Sequence, residues 1–194
     1  LVDLFADYPA MQEHVTIYHP DLQGPMDVCE VLWGSSMFLA LVDTPDLVKS
    51  LLELVTETYI AFLHEWQTIV PHSGDTAVHW GMVHPGCVML RDDSAMNLSG
   101  EMFEEFILPY NQRILAEFGG GADHFCGRGD HYIDRLTGIP GLYAVNLSQP
   151  DYNDMDRIFD ATVERDVFVL GLGRPAAEAA LQGGRDLHGL VHCA

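Results

Sequence analysis

Apolar residues along this chain follow two periods. Leu47, Leu51, Val55, Tyr59, Phe62 and Trp66 recur at steps of four, four, four, three and four. One helical stripe has that spacing. Thr44-Pro45-Asp46 opens it with a hydroxyl cap, Pro at the first helical position and an acid at the positive dipole end. Ser99 caps a second long pattern carrying Met102, Phe103, Phe106, Ile107, Ile114, Leu115 and Phe118, which Pro109 should split and Gly119-Gly120-Gly121 should end. Short runs without helical period read as strands: Val15–Tyr18, Ala77–Val83, Cys87–Leu90, Ala122–Cys126, Leu142–Val145, Val167–Gly171 and Gly189–His192. Further helices are predicted over Leu1–Glu13, Val28–Leu41, Tyr132–Leu136, Asn153–Glu164 (capped by Asn153) and from Pro175 to Gly183-Gly184.

Strands thus alternate with helices, and each apolar strand runs out into polar residues. This is the pattern of a parallel α/β fold with its chemistry at the C-terminal strand ends. A (β/α)8 TIM barrel fits, with functional groups on the βα loops. A doubly wound sheet is the competitor, but its glycine-rich first turn is not seen, and Gly171-Leu172-Gly173 is too little to supply it.

Composition narrows the function. At 194 residues, with 48% hydrophobic and 20% charged, residues 1–194 read as a single domain with an ordinary core. No run is long enough to cross a membrane and no signal peptide stands at the start, so a cytoplasmic protein is expected. Nine basic residues face 29 acidic ones, a formal charge of −20. That argues against nucleic acid and anionic membrane surfaces as partners, since both need a basic footprint, and leaves a small-molecule substrate. Cys29, Cys87, Cys126 and Cys193 are far apart, without disulfide-framework spacing.

His124-Phe125-Cys126 stands out chemically. On a strand, His124 and Cys126 point to one face, and an imidazole beside a thiolate suits zinc. The plain alternative is a buried Cys next to a hydrogen-bonded His. Leu190-Val191-His192-Cys193 offers a third ligand at another strand end, Cys193 first and His192 behind it. Arg91 and Arg128 follow strands and can reach a substrate carboxylate, or else pair with Asp92 and Asp130. Asp92 and Asp93 are candidates for acid–base work or for supporting a zinc-bound His, with capping near Ser94 as the alternative for one of them.

The run Arg91-Asp-Asp-Ser-Ala-Met-Asn-Leu-Ser-Gly-Glu-Met-Phe-Glu-Glu-Phe-Ile-Leu-Pro-Tyr110 resembles the uroporphyrinogen decarboxylase superfamily, which includes zinc-dependent corrinoid methyltransferases. Gln23-Gly24-Pro25, the Thr44-Pro-Asp-Leu-Val helix start and His124-x-Cys126-Gly127 resemble it too, in the expected order. The resemblance covers most of residues 20 to 150 and implies a TIM barrel. Such barrels typically run to about 250 residues, so the chain reads as incomplete at the N-terminus, and a homodimer is expected to cover its unpaired edges.

The superfamily has two chemistries. Its decarboxylases act on a porphyrinogen polycarboxylate without metal. Its methyltransferases use zinc to hold a thiol that takes a methyl group from a corrinoid, often on a corrinoid protein. The second is implied here, with His124, Cys126 and Cys193 as zinc ligands and Arg91, Arg128 and Gln23 toward substrate. A charge of −20 favours it, because a polycarboxylate would be repelled. A metal-free decarboxylase, or a barrel that only binds a ligand, are the alternatives.

Overall fold

The computed structural model describes residues 1–194 except Glu13, Thr16, Tyr18 and Ser73, and the side chain of Gln12. Its elements in chain order are α1 (Val2–Asp7), α2 (Pro9–Gln12), α3 (Pro25–Trp33), α4 (Met37–Asp43), α5 (Pro45–Ile69), β1 (Thr76–His79), β2 (Met82–Pro85), β3 (Val88–Arg91), α6 (Gly100–Phe106), α7 (Leu108–Glu117), β4 (Gly121–Phe125), α8 (Ile133–Leu136), β5 (Leu142–Leu147), α9 (Met155–Ala161), β6 (Phe168–Leu172), α10 (Arg174–Gln182) and β7 (Val191–Cys193). The strand expected over Val15–Tyr18 includes Thr16 and Tyr18, which lie outside the described residues.

Strands β3 to β7 form one parallel sheet in chain order, each beside the next. That is the order a barrel uses, but among the described residues the sheet is open, with β3 and β7 at its edges. The sequence implied a TIM barrel incomplete at its N-terminus; what is seen is a mixed α/β fold around a five-stranded parallel sheet that does not close.

Side-chain alternation sorts the sheet into two faces. One carries Val88, Leu90, Phe125, Val145, Leu147, Val169 and Leu172 against the helices, in the main core. The other carries Met89, Ala122, Ala144 and Leu170 and packs against Met82 of β2. A hairpin made of β1 and β2 thus covers the side of the sheet that a barrel would enclose.

That hairpin corrects the single strand expected over Ala77–Val83. β1 and β2 are antiparallel, with His79 opposite Met82. The turn is Trp80-Gly81, with φ of 49° and 76°, the pair of positive φ values that a type I′ hairpin turn requires. Trp is a poor residue for that conformation, so no ordinary turn signal marked it. Contacts hold it there: the Arg91 guanidinium lies 4.0 Å from the indole centroid, and Trp80 Nε1 donates to Asp21 at 3.3 Å.

The helices follow the sequence more closely. The Val28–Leu41 run is two helices, α3 and α4, broken at Gly34 (φ 84°). Pro109 opens α7 and separates it from α6, while Ser99 Oγ accepts the Met102 N–H at 3.2 Å as its cap. Asp154 rather than Asn153 caps α9. Asn153 instead ties the loop after β4, accepting from the Gly129 and Asp130 N–H groups and donating to Gly127 O. In α5 the buried stripe is Val48, Leu52, Val55, Thr56, Tyr59 and Leu63, while Leu47 and Phe62 are exposed. Two apolar stripes share Val55 and Tyr59, so periodicity alone does not choose between them. Among the described residues no single helix is long and apolar enough to cross a membrane.

Candidate metal centre

The ends of β3 and β4 place Asp93, His124 and Cys126 side by side. Each offers one donor atom, and the three atoms lie within 4.8 Å of one another. Cys126 Sγ is 3.5 Å from His124 Nε2, and Asp93 Oδ1 is 3.4 Å from the same nitrogen.

Local structure fixes each of them. β4 runs beside β3 with His124 in register with Arg91, and Cys126 follows one residue past the strand end. Asp93 begins a short 3-10 turn, Asp93–Asn97, whose entry is held from α3. Asp27 accepts the Asp93 N–H at 2.9 Å and the Ser94 N–H at 2.8 Å, and Glu30 accepts the Ser94 hydroxyl at 2.6 Å. The Gln23-Gly24-Pro25 segment presses on the same corner. Gly24 N–H donates to Arg91 O at 2.7 Å, and a Cβ at Gly24 would lie 2.4 Å from that oxygen. Only glycine fits so close an approach.

The histidine tautomer follows from Asn146, its register partner on β5. Asn146 Nδ2 donates to Leu170 O at 2.6 Å, which turns Oδ1 toward His124 Nδ1 at 2.5 Å. Oδ1 only accepts, so Nδ1 carries the proton and Nε2 presents its lone pair to Cys126 and Asp93. An orienting acceptor behind the ring is the usual support of a metal-binding histidine. Asp93 Oδ1 is buried without a hydrogen-bond partner. A bare nitrogen and a bare oxygen facing one another call for a cation between them.

Electrostatics agree. The nearby His124 ring, and then the Cys126 thiol, hold the Asp93 carboxyl below its usual range despite partial burial. Burial raises the Cys126 thiol, and its Ser148 contact at 3.4 Å works the other way. An oxygen, a nitrogen and a sulfur donor together suit zinc better than magnesium or calcium, which prefer oxygen alone. Trp80, at the hairpin tip, meets the His124 ring edge-on with centroids 5.1 Å apart.

The other candidates lie elsewhere. Asp92, one residue from Asp93, faces the helices; it is 1% exposed and accepts from Asn111 Nδ2. Of the two carboxylates only Asp93 opens toward His124 and Cys126. Arg91 pairs with Asp21 and stacks on Trp80. Arg128 is exposed and bound to Asp130 at 2.7 Å, and Gln23 borders an apolar groove between α3 and α5. Cys193 packs with the helix-side core, and the structure groups Asp93 rather than Cys193 with His124 and Cys126. His192 is exposed and accepts the Gly171 N–H at 3.2 Å.

Asn146 and Ser148 were missed in the sequence as site residues. The available signal was position: they end the strand next to β4, as His124 and Cys126 end β4.

No family model matches the chain, and no curated protein matches it. Among solved structures, its fold is similar to that of a methyltransferase from Methanosarcina mazei, with a TM-score of 0.62 and 16% identity. The match covers 91% of this chain and 54% of that one, so this chain spans about half the length of that structure. At that identity the likeness carries the fold alone.

Proposed function

We propose that the chain provides the zinc-binding, thiol-activating part of a methyltransferase of the uroporphyrinogen decarboxylase superfamily, with a corrinoid as methyl donor. One observation carries the reading: His124 Nε2, Cys126 Sγ and an unpartnered Asp93 Oδ1 face one another at the C-terminal ends of adjacent parallel strands. The fold likeness to a methyltransferase supports it.

His124, Cys126 and Asp93 would hold zinc and leave a coordination position for an incoming thiol. Bound zinc supplies Lewis acidity, keeping such a thiol as thiolate at neutral pH. Asn146 keeps the His124 lone pair aimed at the site. Ser148 Oγ, beside the Cys126 sulfur, donates to it once the thiol proton has gone. Trp80 shields the ring from water on one side. Asp92 has no part in contacting substrate, and Arg91, Arg128 and Gln23 are not gathered at the donor atoms. Cys193 as a zinc ligand would require β7 to turn that residue away from the helix-side core.

The expected partners are a small thiol and a corrinoid, free or on a corrinoid protein, and a dimer that covers the β3 and β7 edges remains part of the proposal. The test is cobalt substitution followed by methyl transfer. Cobalt(II) should give a thiolate charge-transfer band that Cys126→Ser abolishes. Zinc-loaded protein should demethylate methylcobalamin with a small thiol, and Cys126→Ser should not. Absence of metal binding together with turnover of a porphyrinogen polycarboxylate would establish the metal-free decarboxylase instead. Absence of metal binding and of both activities would leave a ligand-binding barrel.

A further inference from the structure

Cys126 stands one residue beyond β4, where the sheet ladder has stopped. The backbone pairing of β4 with β5 ends with the Ser148 N–H donating to Phe125 O at 3.2 Å. A cysteine on a free loop would sample many positions, and binding a metal would have to restrict them at a cost in entropy. This loop is not free. From Gly127 to Asp130 its backbone is bonded by side chains of the segment that follows β5.

Gln149 and Asn153 make those bonds. Gln149 Oε1 accepts the Gly127 N–H at 2.6 Å. Asn153 Oδ1 accepts the Gly129 N–H at 2.7 Å and the Asp130 N–H at 3.0 Å. Asn153 Nδ2 donates to Gly127 O at 3.0 Å and to Gln149 O at 2.8 Å. A primary amide has two N–H donors and one oxygen with two lone pairs, so Asn153 uses all of its capacity here. The same pattern fixes which way its amide points, because a flip would set N–H groups against N–H groups. Asn153 therefore braces the backbone of Gln149, and Gln149 in turn holds the residue after Cys126.

The consequence for the cysteine is direct. The Gly127 N–H belongs to the peptide that joins Cys126 to Gly127, so a bond at that N–H fixes the plane of the peptide. Ser148, the neighbour of Gln149, meets the Cys126 sulfur itself at 3.4 Å. Adjacent residues thus hold both the thiol and the peptide behind it. Gly127 bends the chain with φ of 71°, and a Cβ there would lie 2.6 Å from Met96 Sδ, so glycine is needed at this bend. With the bend and the peptide plane set, Cys126 Sγ comes to rest 3.5 Å from His124 Nε2.

We infer that Gln149, braced by Asn153, is a positioning residue of the metal centre: it holds the Cys126–Gly127 peptide so that the Cys126 sulfur stands beside His124 Nε2 before a metal arrives. The inference rests on the metal centre proposed above and goes beyond it, since Gln149 is not one of the grouped donors. A donor already in place gives up less freedom when the metal binds, which raises affinity without any added metal–ligand bond. Asn146 does this for the His124 ring from the same strand end, and Gln149 does it for the thiol.

The test reads three quantities on the whole chain: zinc affinity by competition with a chromophoric chelator, the cobalt(II)–thiolate charge-transfer band, and exchange of the Gly127 amide hydrogen without metal. Gln149→Met removes the acceptor and keeps the bulk, whereas Gln149→Glu keeps an acceptor oxygen in place. We expect Gln149→Met to weaken zinc by about tenfold or more, to shift or diminish the thiolate band, and to speed Gly127 exchange by about tenfold or more. Gln149→Asn, which draws the oxygen back by one methylene, is the milder variant and should weaken zinc by about threefold or more. Gln149→Glu should restore all three quantities to within about threefold of the wild type. Ser99→Ala supplies a destabilised chain with this loop intact, and its zinc affinity and cobalt band should be unchanged, which separates positioning from a general loss of stability. The inference is overturned if Gln149→Met and Gln149→Asn bind zinc as the wild type does, if Ser99→Ala weakens zinc as much as they do, or if Gln149→Glu restores nothing. A wild type that binds no zinc overturns the proposed metal centre and this inference with it. A wild type that binds zinc beside unaffected Gln149 variants overturns the inference alone.

Discussion

Asp92 and Asp93 are neighbours, as are Asp123 and His124, yet each pair straddles the sheet. Asp92 and Asp123 point into the helix-side core, 1% and 0% exposed, with Asn111 Nδ2 donating to both. There desolvation, followed by the charge of nearby carboxylates, pushes Asp92 up to about 7 and Asp123 well above the carboxylate range. Two carboxyls so placed share a proton instead of both ionising. On the opposite face Asp93 is held below its usual range and meets a bare imidazole nitrogen and a thiol. One residue of strand alternation thus separates a dry, proton-holding pair from a cation-ready one. The first bears on stability and the second on the proposed metal centre.

That contrast is open to attack from both sides. Asp92→Ala strands the Asn111 amide and breaks the shared-proton pair, and we expect a loss of about 3 kcal/mol in urea unfolding. Asp123→Asn, a neutral near-copy of the protonated acid, should cost about 1 kcal/mol or less. A loss in Asp123→Asn as large as that in Asp92→Ala would mean that Asp123 is ionised in the core. On the metal face, Asn146→Ala frees the His124 ring and should weaken zinc by about 10- to 100-fold, read by competition with a chromophoric chelator. Gly24→Ala presses a methyl against Arg91 O and the Asp92 carboxyl, so it should strain both faces and cost about 1–3 kcal/mol. The smallest effect is the control. Ser99→Ala removes the α6 cap, which bonds none of the proposed ligands, and should cost about 1 kcal/mol without touching zinc affinity.

Much of this was legible beforehand because it depends on local periodicity. The runs now seen as β3 to β7 were marked by apolar strands ending in polar residues, and His124 and Cys126 by their two-residue spacing on one face. The split at Pro109 and the Ser99 cap rest on local chemistry and were equally plain. What failed depends on tertiary choice. Trp80 turns a hairpin because Arg91, Asp21 and His124 hold it, and no residue preference announces that. The α5 stripe was ambiguous because two apolar series overlap. Cys193 was singled out from its place at a strand end, but a strand of three residues offers two faces, and here Cys193 packs on the helix side, which its place in the sequence does not reveal. Asp93 and Asp92 could not be told apart, since their difference is which way the chain turns on leaving β3. Asp27 makes that turn, from a helix 66 residues away in sequence.

Zinc titration of the wild type beside Asp93→Asn and Asp92→Asn tests the central claim most directly. We expect one zinc per chain, at least tenfold weaker binding in Asp93→Asn, and no change beyond about threefold in Asp92→Asn, because only Asp93 shares a face with His124 and Cys126. No zinc in the wild type, or equal losses from the two substitutions, would contradict the assignment of those faces and with it the proposed metal centre.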